Sequence, residues 1–430
     1  ESLSKGPSEV LMIYLDHAAT CPMRKCALDQ MTEALKNVYG NASPSYPPAQ
    51  EAKAKLDQAR SVLAETIGAD WREIFFTSGG TEGDNWALTG AAEAGLPERT
   101  GGHIITTRAE HHAVLHTCAY LESRGYTVSY LPVDEEGFVR PDSLEKELAA
   151  HPDTVLVSVM LANNEVGTIE PVEELVRVVR KREQELDGKE GVPAGMRKVK
   201  SGRRILFHTD AVQAYGKIPI DVKALDVDLL SVSAHKIGGP KGVGFLYLRK
   251  RTRIGALIHG GAQESGRRAG TENVPAIIGF AAAAEEAIRE RQSGEEKTIR
   301  LQRFFREALW SELQEKGGIR ILWNGPQPGE RRLSGNVSVS FPDFDQRTLL
   351  INLDLAGICA SGGSACTSGA LEPSHVLMAM TQDRKRAEGT LRFTFGAENT
   401  EEEILETVRV LKETIDRISH GRELQEKCHK

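Results

Sequence analysis

Lys236 is the residue whose position best suits covalent chemistry. It follows an apolar run, 229–232, that predicts a buried strand, and it precedes a segment rich in glycine and proline, 238–244. A lysine at the end of a buried strand loses hydration, which lowers its pKa and makes the neutral amine a usable nucleophile. A lysine that forms a Schiff base needs this property, although a plain surface lysine after a strand is the alternative.

A candidate phosphate site lies where a predicted strand, 74–77, passes through Gly79 and Gly80 into a predicted helix that begins at Thr81. The first N–H groups of a helix have no partner within the helix, and the Thr81 hydroxyl adds a further donor. A simple loop is the alternative interpretation.

Asp210 follows another predicted strand, 205–208. A buried carboxylate is costly unless a cation pairs with it, and a protonated pyridinium nitrogen would be such a cation. That pairing would keep the pyridinium ring an acceptor of electrons, and Gln213 would donate a hydrogen bond to the phenolic oxygen of the same ring. The alternative is that Asp210 caps the next helix.

Two polar clusters follow further strands. His111 and His112 follow strand 103–107, where an imidazole would stack on a planar ring and move protons. A zinc site is the rival, but no cysteine or Glu-x-x-His partner lies at metal spacing. Asn163, Asn164 and Glu165 follow strand 155–161. In parallel sheets ligands bind at the carboxyl ends of the strands, so all these residues are expected at one edge.

Cys366 is the thiol that we expect to be reactive. It lies among small residues in Cys359-Ala-Ser-Gly-Gly-Ser-Ala-Cys366-Thr-Ser-Gly369, and exposed loops of this kind often carry functional residues. Cys359 follows Ile358 and is interpreted as a buried small hydrophobic residue.

The elements that must position these residues alternate between strand and helix through the first 270 residues. This alternation, with nearly continuous apolar strands, predicts an α/β fold with a mostly parallel sheet covered on both faces. From about residue 272 helical stretches 275–291 and 298–316, strands 337–341 and 390–395 and helix 401–419 indicate a smaller α+β unit. The charged, glycine-containing stretch 181–204 is predicted to be a surface insertion.

Composition restricts the class of protein. The 430 residues are 40% hydrophobic and 27% charged, with a formal net charge of −7, which disfavours a general nucleic-acid binder. No apolar run approaches the roughly 18 residues of a membrane span, and no signal peptide is evident, so a cytoplasmic location is expected. The six cysteines contain no Cys-x-x-Cys pair and suggest reduced thiols. Residues 1–11 are interpreted as an appended tag or an extension.

From 14 to the last helix the chain resembles the pyridoxal-phosphate-dependent cysteine desulfurases of the NifS-like class, within the fold type I enzymes. The motifs that carry this resemblance are Tyr14-Leu-Asp-His-Ala-Ala-Thr20, Thr77-Ser-Gly-Gly-Thr-Glu82, Glu110-His111, Asn163-Asn-Glu165, Asp210-Ala-Val-Gln213, His235-Lys236, Arg268-Ala-Gly-Thr-Glu-Asn273 and Ser364-Ala-Cys-Thr-Ser368. The cysteine segment resembles the branch with a long, flexible catalytic loop.

The resemblance implies a large cofactor-binding domain with a seven-stranded type of sheet at 22–271, and a smaller domain formed by 12–21 and 272–430. It implies a homodimer and these roles: catalytic, Lys236, Cys366 and His111; cofactor-binding, Gly80, Thr81, Asn164, Asp210, Gln213, Ser233, His235, Lys236 and, from the other subunit, Thr271; substrate-binding, Asn41 and Arg392. No metal is implied.

The expected reaction converts L-cysteine to L-alanine and leaves the sulfur on Cys366 as a persulfide, with pyridoxal 5'-phosphate as cofactor. The expected partner is a sulfur acceptor, either an iron–sulfur scaffold protein or a tRNA-thiolation enzyme, with no direct contact to nucleic acid or membrane. Selenocysteine lyase is the nearest alternative. An aminotransferase or epimerase needs no loop cysteine, and a cofactor-free scaffold would not need Lys236, Asp210 and the phosphate site.

Overall fold

A computed structural model describes residues 12–95, 101–187, 205–363 and 373–428. The strands in these ranges are β1 Ile13–Tyr14, β2 Ile74–Thr77, β3 His103–Thr107, β4 Thr127–Leu131, β5 Thr154–Ser158, β6 Leu206–Asp210, β7 Leu229–Ser233, β8 Gly244–Leu248, β9 Leu322–Asn324, β10 Asn336–Ser340, β11 Ile358–Cys359, β12 Ser361–Gly362 and β13 Thr390–Thr394.

The helices are α1 Lys25–Asn37, α2 Pro47–Glu65, α3 Gly80–Gly95, α4 His112–Ser123, α5 Pro141–Ala150, α6 Val172–Asp187, α7 Val222–Leu225, α8 Gln263–Gly266, α9 Val274–Leu309, α10 Gln346–Leu355, α11 His375–Thr381, α12 Arg384–Glu388 and α13 Glu401–Cys428. None of the helices in the described ranges has the length and apolar character needed to cross a bilayer.

The largest sheet has seven strands in the order β2-β8-β7-β6-β5-β3-β4. Its pairs are parallel except where β8 runs antiparallel to both β2 and β7. Strands β2, β3, β5, β6 and β7 therefore all point the same way, and their carboxyl ends lie at one edge. The predicted α/β class with a mostly parallel sheet is confirmed.

Both faces of this sheet are buried because successive residues of each strand enter different hydrophobic clusters. Leu229 packs with Trp86 and Val114, residues of α3 and α4. Leu230, the next residue, packs in the cluster that includes Leu175 of α6 and Ile277 of α9. Side chains of a strand alternate between faces, so a strand covered on both sides can carry apolar residues at successive positions, as Leu229 and Leu230 show.

A third hydrophobic cluster surrounds a four-stranded sheet, β12-β13-β10-β9, and a two-stranded parallel pair, β1-β11. Ile13 of β1 and Ile358 of β11 are partners in that pair, so residues near 13 join the later part of the chain. The division of the chain into domains at 271 and 272 stays a prediction. In the structure α9 contributes Ala276 to the cluster of Leu230 and Phe305 to this third cluster.

The prediction of separate helices at 275–291 and 298–316 is wrong, because α9 is continuous over Val274–Leu309 and a π-helical turn, Trp310–Glu315, follows it. The sequence suggested an interruption at Gly294, where glycine costs a helix about 1 kcal/mol relative to alanine. The buried faces on either side of Gly294 offset that cost, and a Cβ atom at Gly294 would meet no atom within 4 Å.

The predicted insertion at 181–204 is corrected at its start. Residues 181–187 continue α6, where Lys181 pairs with Glu145 of α5 at 2.7 Å. Such surface pairs add little stability, but here the pair joins two neighbouring helices. Residues 188–204 lie outside the described ranges.

We predict that Phe305→Ala lowers the free energy of unfolding by about 3–5 kcal/mol, because it empties a fully buried site. The Phe305 ring contacts the rings of Phe393 and Phe395, at centroid distances of 4.8 and 5.5 Å. Urea denaturation measures the loss, with the partly buried neighbour Phe304→Ala as the matched control. Equal losses in the two variants would contradict this account of the core.

Candidate active site

The carboxyl edge of the seven-stranded sheet brings together most of the residues singled out in the sequence. Lys236 lies in a 3₁₀ turn, Ala234–Ile237, that directly follows β7. Its Nζ donates to the carbonyl oxygens of Ala18 (2.5 Å) and Ala19 (2.8 Å). The half-buried amine is thus held against the segment that follows β1 and is not a plain surface lysine.

Asp210 is the last residue of β6 and is only 5% exposed. Burial raises its carboxyl pKa to about 6, while a hydrogen bond from the Val212 N–H (2.8 Å) and the charge of Lys236 act in the opposite direction. Among the described residues, Asp210 Oδ2 has no hydrogen bond to a cationic side chain, so a cationic group placed beside it would be stabilised. Gln213 is also buried, and its Nε2 donates to the Ala18 carbonyl at 2.9 Å.

His111 caps the start of α4. Its Nδ1 accepts from the Ala113 N–H at 3.1 Å, so the neutral ring carries its hydrogen on Nε2. Burial, followed by the charge of Lys236, lowers the His111 pKa to about 4. The ring is therefore neutral near pH 7 and can act there as a donor or as a flat stacking surface.

The residues predicted to bind a phosphate lie where β2 meets α3. Gly80 is the first residue of α3, and a Cβ atom on it would lie 2.4 Å from Val212 Cγ2, so only glycine fits. A Cβ atom on Gly79 would lie 3.6 Å from Ser233 Oγ, which places the end of β7 beside this turn. Thr81 is exposed at the helix start. These donors suit an anion.

His235 and Thr271, two other residues predicted to bind the phosphate, lie in different surroundings. His235 is half-buried, with Nδ1 at 3.1 Å from Thr20 Oγ1. Thr271 is exposed on the loop before α9, and nearby Arg268 pairs with Glu82 at 2.8 Å. Among the described residues of one chain, no hydrogen bond joins Thr271 to the turn at Gly80.

Arg392 lies in β13, with its side chain 2% exposed. Its Nη1 donates to the Asn164 carbonyl (2.9 Å), and its Nη2 to Asp16 Oδ1 (2.8 Å) and Ser361 Oγ (3.2 Å). Its Nε is buried without a hydrogen-bond partner in the described part of the chain. An arginine with one donor left over can bind a further anionic oxygen.

Asn41 lies on the exposed segment before α2, where its Oδ1 accepts from the Ser43 N–H at 2.9 Å. No hydrogen bond joins Asn41 to Arg392 within the described ranges. Cys366 lies outside those ranges, which end at 363 and resume at 373 on either side of it. Cys359 is half-buried in β11, and burial raises the pKa of its thiol.

A cavity of about 820 Å³ adjoins this edge and reaches Lys236 and Gln213, with His17, Lys217 and Thr394 also in its wall. Thr81, His111 and Asp210 do not line it. The cavity therefore reaches the Lys236 amine but not the start of α3 or the Asp210 carboxylate.

Sequence reasoning missed the partners of two acidic residues, the buried Asp84 and the half-buried Asp16. Asp84 faces inward from α3, with Oδ1 at 3.6 Å from His208 Nε2, and burial raises its pKa well above the usual value. Its spacing to Leu88 and Ala91, both buried, would have placed it on the apolar face. Asp16 belongs to the motif at 14–20, but the sequence did not indicate its pairing with Arg392.

Possible metal ligands meet elsewhere. His103, Glu147 and His151 have ligand atoms within 4.8 Å of one another, at the opposite edge where β3 begins. Both ring nitrogens of His103 are already at 2.8 Å from hydroxyl groups, of Thr154 and Ser129. The His103 and His151 rings are stacked at 3.8 Å, an arrangement in which their lone pairs do not point to a common ion.

The residues at the edge fit a phosphorylated cofactor with a basic ring. The start of α3 offers donors to a phosphate, Asp210 offers a buried carboxylate to a ring cation, and Lys236 offers an amine. Each of these groups is of the type that such a cofactor requires.

Among curated proteins, the cysteine desulfurase IscS of Dictyoglomus turgidum is 45% identical over 406 residues, 94% of this chain and 95% of that protein. The putative cysteine desulfurase IscS 1 of Bacillus subtilis is 42% identical, over 95% of this chain and 99% of that protein. A solved NifS-like protein has a TM-score of 0.82 and 38% identity, over 94% of this chain and 100% of that one.

A structure entitled SspA in complex with cysteine has a TM-score of 0.73 and 32% identity, over 90% of this chain and 100% of that chain. The model of the aminotransferase class-V family matches residues 13–186 and 190–406, which include every segment at the sheet edge. By this match and by its curated relatives, the chain belongs to the aminotransferase class-V family.

Proposed function

We propose that the protein is a pyridoxal-phosphate-dependent cysteine desulfurase. The proposed reaction is L-cysteine plus the Cys366 thiol giving L-alanine plus a Cys366 persulfide, so the sulfur atom changes its carbon partner for a sulfur partner. The observation that carries the proposal is the convergence of Lys236, Asp210 and His111 at one sheet edge. The names of the relatives support it.

When bound, pyridoxal phosphate supplies a carbonyl carbon that links to amines and a ring that accepts the electron pair released at the substrate α-carbon. The chain's own groups hold it: Gly80 and Thr81, with Ser233 and His235, receive the phosphate. Asp210 holds a proton on the ring nitrogen, because a buried carboxylate favours an adjacent positive charge. Gln213 would contact the ring oxygen, and Asn164 would lie beside the cofactor.

Lys236 accepts the proton from the substrate α-carbon once its amine is free. The two hydrogen bonds from its Nζ to the carbonyl oxygens of Ala18 and Ala19 hold the free amine in a fixed direction. His111, neutral and with hydrogen on Nε2, stacks on the ring and donates or takes a proton at that nitrogen. The general base and the proton carrier are thus separate groups.

Arg392 binds the substrate carboxylate, with Asn41 as a second contact. The unpartnered Nε of Arg392 supports this role. The sulfur on Cys366 then passes to an acceptor protein, of the iron–sulfur assembly or tRNA-thiolation type.

We expect Lys236→Ala to abolish turnover and to abolish the covalent link that borohydride fixes between protein and cofactor. Peptide mapping after borohydride treatment measures the link. Lys217→Ala, which removes another lysine of the cavity wall, is the matched control and should keep the fixed link on Lys236. A cofactor fixed at a different lysine in the Lys236 variant would contradict the assignment.

We expect Cys366→Ala to keep the visible spectrum of the bound cofactor but to lower alanine release from cysteine at least a hundredfold, about 2.7 kcal/mol of barrier. The reason is that no other thiol is assigned to take the sulfur. Cys359→Ala is the control and should keep most of the activity. Selenocysteine should be affected less, because its carbon–selenium bond is weaker. Near-normal alanine release from cysteine would rule out the persulfide step.

Thr271 is proposed to reach the phosphate of the other subunit in a homodimer, so its contribution is testable by mixing. Lys236→Ala and Thr271→Ala chains, refolded together, should form hybrids with one intact site, because the defects fall on different subunits. Activity should then rise, and each hybrid dimer should have about half the activity of a wild-type dimer. Activity no greater than that of the Thr271→Ala protein alone would place Thr271 in its own subunit's site, and a fully active monomer on sedimentation would exclude the role.

A further inference from the structure

Three consecutive residues after β5 contact three separate parts of the candidate site. Asn163 Nδ2 donates to the Ala109 carbonyl at 2.9 Å, two residues before His111. The Asn164 carbonyl accepts from Arg392 Nη1 at 2.9 Å. Glu165 accepts a hydrogen bond on Oε2 from the hydroxyl of Ser374. The turn therefore joins the stacking histidine, the arginine and the start of α11.

Glu165 contacts both described ends of the stretch that contains Cys366. Ser374 caps α11, and its Oγ accepts from the Leu377 N–H at 3.1 Å, so its single hydrogen is available to Glu165. A Cβ atom on Gly363 would lie 2.8 Å from Glu165 Oε2 and 2.7 Å from Ser374 Cβ. The main chain at Gly363 thus packs directly against the Glu165–Ser374 pair.

The carboxyl group of Glu165 is buried, with 2% of the residue exposed. Burial raises its pKa to about 7, whereas the Ser374 hydrogen bond and then the charge of Arg392 lower it. Separating Ser374 from Glu165 would leave a buried carboxyl group without its hydrogen-bond donor, which costs free energy. This fixes the distance between the turn and α11.

We propose that Glu165 is a positioning residue that holds both ends of the Cys366 stretch at a set distance from Arg392 and the sheet edge. The proposal rests on the proposed function, since it concerns how the thiol reaches the substrate sulfur. We expect the anchoring of Gly363 and Ser374 to raise the effective concentration of the Cys366 thiol at the reacting atom.

The experiment compares Glu165→Ala, Glu165→Gln and Ser374→Ala. Glutamine keeps an oxygen that accepts from Ser374, whereas alanine does not. Asp383→Ala is the control for loss of a helix cap, since Asp383 caps α12 by accepting from the Arg386 N–H at 3.1 Å. Gly363→Ala tests the same contact from the Gly363 side, because the new Cβ atom would clash with Ser374 and Glu165.

Two measurements separate positioning from general damage. The first is the single-turnover rate of persulfide formation on Cys366, set against cysteine binding followed by the visible spectrum. The second is the rate of alkylation of Cys366 by iodoacetamide in cofactor-free protein. We expect Glu165→Ala to slow persulfide formation about tenfold with cysteine binding changed less than about twofold, and to change the alkylation rate. Glu165→Gln should lie between it and wild type.

The double variant Glu165→Ala/Ser374→Ala decides whether the contact itself carries the effect. It should be no slower than Glu165→Ala, because the two groups act through one hydrogen bond. Additive losses, or a loss of persulfide formation that only follows a loss of cofactor binding, would overturn the proposal. If wild-type protein forms no persulfide, the proposed function fails, and the alkylation comparison alone then decides the positioning role.

Discussion

The arrangement depends on one constraint, that a buried carboxylate and a half-buried amine must be held at the same sheet edge. Asp210 ends β6, and Lys236 lies in the short turn that directly follows the adjacent parallel strand β7, so the pairing of the two strands limits the separation of the two residues. A parallel sheet with both faces covered keeps water from the strands and forces polar groups to collect where strands end. Site formation therefore follows from the burial of the two faces.

The sheet could be predicted from the sequence because its strands are short apolar runs between turn residues. Strands β2 and β3 have the predicted limits, and the edge position of His111, Asn164, Asp210 and Lys236 followed from the predicted strands. What could not be predicted was pairing over long separations. The bidentate pair of Arg60 with Glu264, at 2.8 and 2.7 Å, joins residues 204 positions apart, and neither residue type signals a partner.

Continuity of a helix also escaped prediction. The sequence around Gly294 is polar and contains a glycine, which lowers local preference, but burial before and after it determines the outcome in α9. The same limit applies to Asp84 and Asp16, whose side chains reach buried partners from elements distant in sequence. Local preference indicates where a strand or helix begins, whereas the contacts between elements decide what an acidic side chain meets.

The role proposed for Arg392 has a consequence for how substrate would enter. Its Nη2 is already paired with Asp16 and its Nη1 with a main-chain carbonyl, so a substrate carboxylate has the free Nε and must share or displace the Asp16 oxygen. Sharing would bring two carboxylates together, which the charge of one arginine supports only with additional donors. Ser361 Oγ is not such a donor, because it accepts from Nη2 at 3.2 Å and its own hydrogen goes to the Gly362 carbonyl at 3.0 Å. Substrate binding at Arg392 is therefore linked to β12 through Ser361 and to the Asn163–Glu165 turn through the Asn164 carbonyl, because the arginine contacts both.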